Sequence, residues 1–145
     1  MSLVEGAARI GHLRDLALAA ERSGRPGDAI ARFDEALALA PQDAALLNSA
    51  GSSALRLKDM ARAERLFARA HALAPQNVEF AINLAIALDH LERSREAAEL
   101  LRRIEPAAQG DRRYWSARAS AERESADLDA AALSYERCLA IDPGY

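Results

Sequence analysis

The chain has 145 residues, half of them hydrophobic and 28% charged, so it can bury a core of ordinary size. Its formal charge of −3 argues against a nucleic-acid-binding protein, since such proteins present a surplus of basic side chains. The single cysteine excludes an internal disulfide.

The first two predicted helices form a pair. Apolar residues at three- and four-residue spacing predict a helix from about Ile10 to Arg22. These residues are Leu13, Leu16, Ala17 and Ala20. Residues 23–27, SGRPG, end that helix, because two glycines and a proline do not propagate it. Asp28 is expected to cap the second helix, which should end at about Ala40 because Pro41 follows.

Later parts of the chain repeat this organisation with two departures. Pro106 predicts that the second helix of the third pair stops near Ile104, which leaves a long linker over residues 105–110. In the fourth pair, Arg118 and Glu122 are four residues apart and can therefore pair on one helix face.

The pairs return at a fixed interval of 34 residues. A small residue, a large residue, a second small residue and a proline recur in one register. The four series are Ala29, Ala63, Ala97 and Ala131; Phe33, Phe67, Leu101 and Tyr135; Ala36, Ala70, Ile104 and Cys138; and Pro41, Pro75 and Pro143, with Gln109 in place of the third proline. Such a period is typical of helical repeat proteins.

The spacing of these residues resembles the second half of the tetratricopeptide repeat, a helix–turn–helix unit of 34 residues. Alignment on this pattern gives repeats at 10–43, 44–77, 78–111 and 112–145, which cover all but the first nine residues. The resemblance implies an all-α fold, a right-handed α-solenoid (α–α superhelix) in a single domain over 1–145. The first helix of each repeat, helix A, would line a concave groove.

The resemblance also assigns packing roles. Gly51 stands at the eighth position of its repeat, where the family has glycine or alanine because helices A and B cross closest there, so a bulky replacement should overpack. Trp115 matches the tryptophan of the family, and Cys138 falls at a small core position and should be buried. Arg118 and Glu122 replace large apolar residues. We expect them to reach solvent or to pair at a loosely packed seam, with a ligand-contacting pair as the alternative.

Motifs for catalysis and metal binding are missing from the sequence. His12, His71 and His90 lack metal-site spacing, and neither a GxSxG motif nor a glycine-rich phosphate loop occurs. We therefore expect no enzyme activity, no cofactor and no metal. Because no apolar run of about 18 residues and no signal peptide is present, we expect a cytoplasmic bacterial protein that does not bind membranes.

The groove-facing positions of the family supply the candidate binding residues for a protein or peptide partner. They are the polar Arg14, Asn48, Ser52, Asn83, Arg113 and Ser116 and the apolar Ile82 and Ile86, which would form a floor. The clamp by which some members hold acidic chaperone tails is not matched, because Glu79 would repel a carboxylate and Leu18 cannot hydrogen-bond.

The leading hypothesis is thus a protein–protein interaction scaffold that binds a partner peptide or helix in its groove. One alternative is an N-terminal recruitment or dimerisation module of a longer, transferase-type enzyme. Another is a homodimer through the last repeat, since residues 142–145 end where a further repeat would begin and no capping helix follows.

Overall fold

The computed structural model describes residues 1–144. Those residues form eight α-helices and no strand, so the all-α prediction is confirmed. The helices are α1 (Leu3–Arg22), α2 (Pro26–Leu39), α3 (Ala44–Arg56), α4 (Met60–Leu73), α5 (Val78–His90), α6 (Ser94–Ala108), α7 (Arg112–Glu124) and α8 (Leu128–Ile141).

The helices belong to two compact units. The first unit, Met1–Ala74, contains α1–α4, and the second begins at Pro75 and contains α5–α8. In the first unit α1 pairs with α2, α3 pairs with α4, and α2 also contacts α3. In the second unit α5 pairs with α6 and α7 with α8, and α7 contacts both α5 and α6. The single domain over the whole chain stays a prediction.

Six of the eight helices in the described part of the chain begin at a side-chain cap. In each, a hydroxyl, carboxylate or amide oxygen accepts a hydrogen bond from a backbone N–H of the first turn, which would otherwise lack an intrahelical partner. The caps are Ser2, Asp43, Asp59, Asn77, Asp111 and Asp127.

The predicted starts of α1 and α2 were wrong. Helix α1 begins at Leu3 rather than near Ile10, because Ser2 and Glu5 form a capping box in which each side chain accepts from the backbone N–H of the other. Helix α2 begins directly at Pro26, whose fixed φ suits the first helical position. Asp28 therefore lies inside the helix, where its carboxylate accepts from the Arg25 guanidinium at 3.2 Å.

The predicted end of α6 was also wrong. The helix runs through Pro106 to Ala108, so the connection to α7 comprises only residues 109–111. A proline this close to a helix end removes one hydrogen bond and leaves the rest of the ladder intact. Ala108 is 1% exposed, so its packing contributes to the last turn.

Four turns between paired helices share one backbone conformation. The residue in the left-handed region is Gly24, Lys58, Glu92 or Ala126, with φ between 60° and 70°, and these positions are 34 residues apart. In each turn the N–H of the next residue donates to a carbonyl of the preceding helix, at 2.8–3.0 Å. Three of these residues carry a Cβ, so they adopt a conformation that favours glycine.

The core lies between paired helices and combines small with large side chains. Phe33, Leu47 and Phe67 are fully buried in the first unit, and Leu101, Tyr114 and Cys138 in the second. Trp115 is 4% exposed. The predicted burial of Cys138 and the predicted close contact at Gly51, which lies against the ring of Phe67, are confirmed.

Candidate functional site

In the first unit, the predicted site residues lie on α1 and α3. Arg14 is exposed, Asn48 is buried, and the half-buried Ser52 donates its hydroxyl hydrogen bond to the Asn48 carbonyl at 3.2 Å. Glu21, which was not among the predicted binding residues, connects the two helices. Its carboxylate accepts a hydrogen bond from the Ser53 hydroxyl and pairs with Arg56 at 2.7 Å. This connection joins residues more than 30 apart in the chain, so helical spacing gave no signal for it.

In the second unit, the structure brings two of the predicted residues into direct contact. The Arg113 guanidinium on α7 donates to the Asn83 side-chain oxygen on α5 at 3.0 Å. Asp89 on α5 accepts from the Ser120 hydroxyl on α7 at 2.8 Å and from Ser94 at 2.5 Å. Polar side chains therefore connect α5 to α7. Asp89 and Ser120 were not among the predicted binding residues.

The two isoleucines of the predicted apolar floor differ in accessibility. Ile82 is 1% exposed and belongs to the core, whereas Ile86 is half-buried and retains surface. Ser116, on α7, is also half-buried. Of the proposed floor, only Ile86 is therefore open to a ligand in this structure.

Next to these residues, an open depression of about 980 Å³ lies at the ends of α5 and α7. Charged side chains of both signs line it, among them Asp89, Arg93 and Glu124, and so do the polar His90 and Ser120. Such a surface is suited to hydrogen bonds and ion pairs with a polypeptide.

The predicted pair of Arg118 and Glu122 is confirmed, at 2.9 Å. Its location is different from the expected one, because Glu122 is 0% exposed and thus neither reaches solvent nor contacts a ligand. The Glu122 carboxylate also accepts from Ser134 at 2.6 Å and from Arg102 at 3.3 Å, so it connects α6, α7 and α8. The cluster therefore stabilises the packing of these three helices within the second unit.

Burial alone lowers the pKa of the Arg118 guanidinium, but hydrogen bonds to Glu122, Glu105 and Tyr114 outweigh burial and raise its pKa above the ordinary value. Tyr114 donates to the Leu101 carbonyl at 2.8 Å. Burial raises the pKa of this phenol, and the hydrogen bond from Arg118 offsets only part of the rise. Both groups therefore keep their protons near neutral pH, which maintains the network.

Within residues 1–144, no three His, Cys, Asp or Glu side chains are grouped so that they could hold a metal ion. None of the helices in the same residues has the length and apolar character that a membrane crossing requires.

Three models of the tetratricopeptide repeat match the chain, over residues 14–78, 54–121 and 113–145. Together with the paired helices and the 34-residue interval between their turns, these matches place the chain in the tetratricopeptide-repeat family. The predicted fold class, an all-α arrangement of helix–turn–helix repeats, is confirmed. The family is one of protein-interaction scaffolds.

Solved structures share the fold at low sequence identity. MamA from Desulfovibrio magneticus RS-1 is 20% identical with a TM-score of 0.86, over 93% of this chain and 76% of MamA. YrrB, a tetratricopeptide-repeat protein with an unusual peptide-binding site, is 21% identical with a TM-score of 0.78, over 92% of this chain and 69% of YrrB.

Among curated proteins, FlbA of Caulobacter vibrioides is 34% identical over 105 residues, which are 70% of this chain. The match spans only 17% of the length of FlbA.

Proposed function

We propose that this chain binds a partner polypeptide on the surface that the A helices form in each of its two units. In the first unit the contacts come from Arg14, Asn48 and Ser52. In the second they come from Asn83, Ile86, Arg113 and Ser116. The partner is a polypeptide, because hydrogen-bonding side chains beside one apolar residue match a peptide main chain and its side chains.

The observation that carries this proposal is the contact between Asn83 and Arg113. It connects the exposed Arg113 to α5, where the half-buried Ile86 lies about one turn from Asn83. An amide both donates and accepts, and the guanidinium has five N–H donors, of which this contact uses one. The peptide-binding site of YrrB, which has the same fold, supports a similar use of the fold here.

The proposal is tested with peptides selected from a displayed random library on the full chain. Each selected peptide is then measured against a variant that carries Arg14→Glu and Arg113→Glu. The matched control carries Arg32→Glu and Arg103→Glu, which change the net charge equally in the same two units but alter exposed residues of the B helices α2 and α6. Circular dichroism verifies that both variants fold.

We expect the first variant to lose at least roughly tenfold in affinity, about 1.4 kcal/mol, and the control to stay near wild type. Equal affinities for the two variants would refute the proposal. Benzoylphenylalanine placed at Arg113 should also crosslink to the peptide, whereas the same probe at Glu99, on helix α6, should not.

The alternative role, as a recruitment or dimerisation module of a longer transferase-type enzyme, stays a prediction. FlbA is much longer than the segment it shares with this chain, which is compatible with repeats that serve a larger protein. Reading the full open reading frame tests it: a transferase domain downstream would support this role. The homodimer through the last repeat also stays a prediction, which sedimentation of the purified chain tests.

A further inference from the structure

The first unit carries a second groove, on the face formed by helices α2 and α4. Two adjoining cavities of about 460 and 330 Å³ share Pro41 and Arg69 in their walls. Leu37 and Leu66, both less than a tenth exposed, line the larger cavity, and the exposed Leu73 lines the smaller one. The groove is therefore apolar at its base, and it lies on B helices rather than on the A helices of the proposed function.

Three arginines of α4 border this groove. Arg62, Arg65 and Arg69 follow one another at three- and four-residue spacing, so they share one face of the helix and span about 10 Å along it. Arg62 donates to the Asp34 carboxylate on α2 at 2.5 Å, and Arg69 donates to the Pro41 carbonyl at 2.7 Å. The outer two guanidinium groups are thereby held in place.

The positive charge of the groove is largely uncompensated. Asp34 is the only carboxylate among the described residues that line it, and Arg62 already binds that group. Arg65, between the two outer arginines, has no side-chain hydrogen bond or ion pair within residues 1–144. Several exposed arginines elsewhere in this acidic chain pair with carboxylates, as in Arg32–Glu35 and Arg93–Glu96. The groove thus concentrates positive charge on a chain whose net charge is negative.

We propose that this groove binds an acidic segment of a partner protein. Carboxylates of that segment pair with Arg65 and with the remaining donors of Arg62 and Arg69, since a guanidinium matches a carboxylate with two parallel hydrogen bonds. Apolar side chains between the carboxylates contact Leu37 and Leu66. Acidic residues about three positions apart in an extended segment match the spacing of the outer arginines, because such a chain rises about 3.3 Å per residue.

Nucleic acid fits this groove less well. Single-stranded binding sites combine basic residues with aromatic side chains on which bases stack, and no aromatic residue is among those that line either cavity. The apolar base instead matches aliphatic side chains, which a peptide has and a nucleic acid backbone lacks.

The test measures fluorescence anisotropy of a fluorescein-labelled peptide with glutamate at every third position and leucine or alanine between, on the full chain. A peptide with glutamine in place of every glutamate is the neutral control. We expect the acidic peptide to bind at least roughly tenfold more tightly than the neutral one. Arg65→Glu should remove that advantage, while Arg103→Glu, which changes the net charge equally on α6, should alter affinity by less than about twofold.

Arg65→Glu breaks no contact between described side chains, so it should leave the temperature of thermal unfolding unchanged. Leu73→Asn is a second variant, which should weaken binding of the leucine-containing peptide. Arg113→Glu, on the A-helix surface, should leave the affinity unchanged. Equal losses in Arg65→Glu and Arg103→Glu would overturn the proposal. Displacement of the peptide by inorganic polyphosphate at equal charge concentration would also overturn it, since the groove would then bind polyanions generally.

Discussion

Gly51 lies so close to Phe67 that a Cβ at this glycine would be 2.6 Å from Cε1 of the phenylalanine ring. Helices α3 and α4 of the second repeat meet at this point, and Phe67 is completely buried. The missing side chain of Gly51 is therefore part of the packing between the two helices.

We expect Gly51→Ala to destabilise the chain by about 1–3 kcal/mol, because the buried ring has little room to move. Adding Phe67→Leu should relieve the overlap, since the third repeat has alanine and leucine at the same two positions, Ala85 and Leu101. Urea unfolding of both single variants and the double variant measures the coupling. Additive losses would contradict this account. Gly11→Ala is a control, because a Cβ at that glycine would have nothing within 4 Å, and it should be neutral or stabilising.

The left-handed turn residue of the fourth repeat provides a second prediction. Ala126 has φ of 66°, so Ala126→Gly should raise the free energy of unfolding by about 0.5–1 kcal/mol, as relief of the Cβ clash exceeds the entropic cost of glycine. Gly24→Ala, at the equivalent turn of the first repeat, should lower the free energy of unfolding by a similar amount. Thermal unfolding measures both. The control Ala132→Gly, on the exposed side of α8, should cost about 1 kcal/mol, and a similar cost for Ala126→Gly would refute the prediction.

The buried carboxylate of Glu122 provides a third prediction. Glu122→Ala should cost about 3 kcal/mol, because it removes a shared acceptor of Arg118 and Ser134 and opens a cavity. Glu122→Leu combined with Ser134→Ala should recover most of this loss. The third repeat has Leu88 at the equivalent position, and the arginines retain Glu105 and Asp127 as partners. Urea unfolding measures the stability of both variants. Equal losses of stability in Glu122→Ala and in the double variant would show that apolar packing does not replace the ion pair.

The raised pKa of Tyr114 gives a prediction for alkaline pH. The folded phenol holds its proton more tightly than the unfolded one, so its contribution is fully present below about pH 10 and decreases as pH rises above that value. At about pH 8, Tyr114→Phe should cost about 1 kcal/mol, because the Leu101 carbonyl loses its donor. Urea unfolding at about pH 11 should show a smaller difference between wild type and variant. A constant difference would contradict the assignment.

The helix pairs could be predicted because one small and one large residue per repeat determine how two helices cross, and those residues recur in the sequence. The start of α1 was missed because Gly6, Ala7 and Ala8 carry no apolar stripe, although the Ser2 and Glu5 spacing of the capping box was available. Pro106 by itself indicates a helix end, because the sequence does not reveal that Ala108 is buried in the core.

The sequence predicted on which helices the candidate residues lie, but not which contacts they make. Whether they bind a partner stays a prediction. Positions on the A helices followed from the repeat register, which placed Asn83 and Arg113 among the candidates. Their hydrogen bond depends on the distance between α5 and α7, which no local pattern encodes. The burial of Glu122 was missed for a related reason: a charged residue interrupts apolar periodicity and so resembles a solvent-facing position.

The side chains that tie neighbouring A helices, Arg113 to Asn83 and Arg56 to Glu21, already have partners within their own units. Each of these bonds fixes the orientation of a guanidinium group and leaves most of its N–H donors unused. A peptide that bound as proposed would therefore meet donors that are already ordered, and less side-chain entropy would be lost on binding.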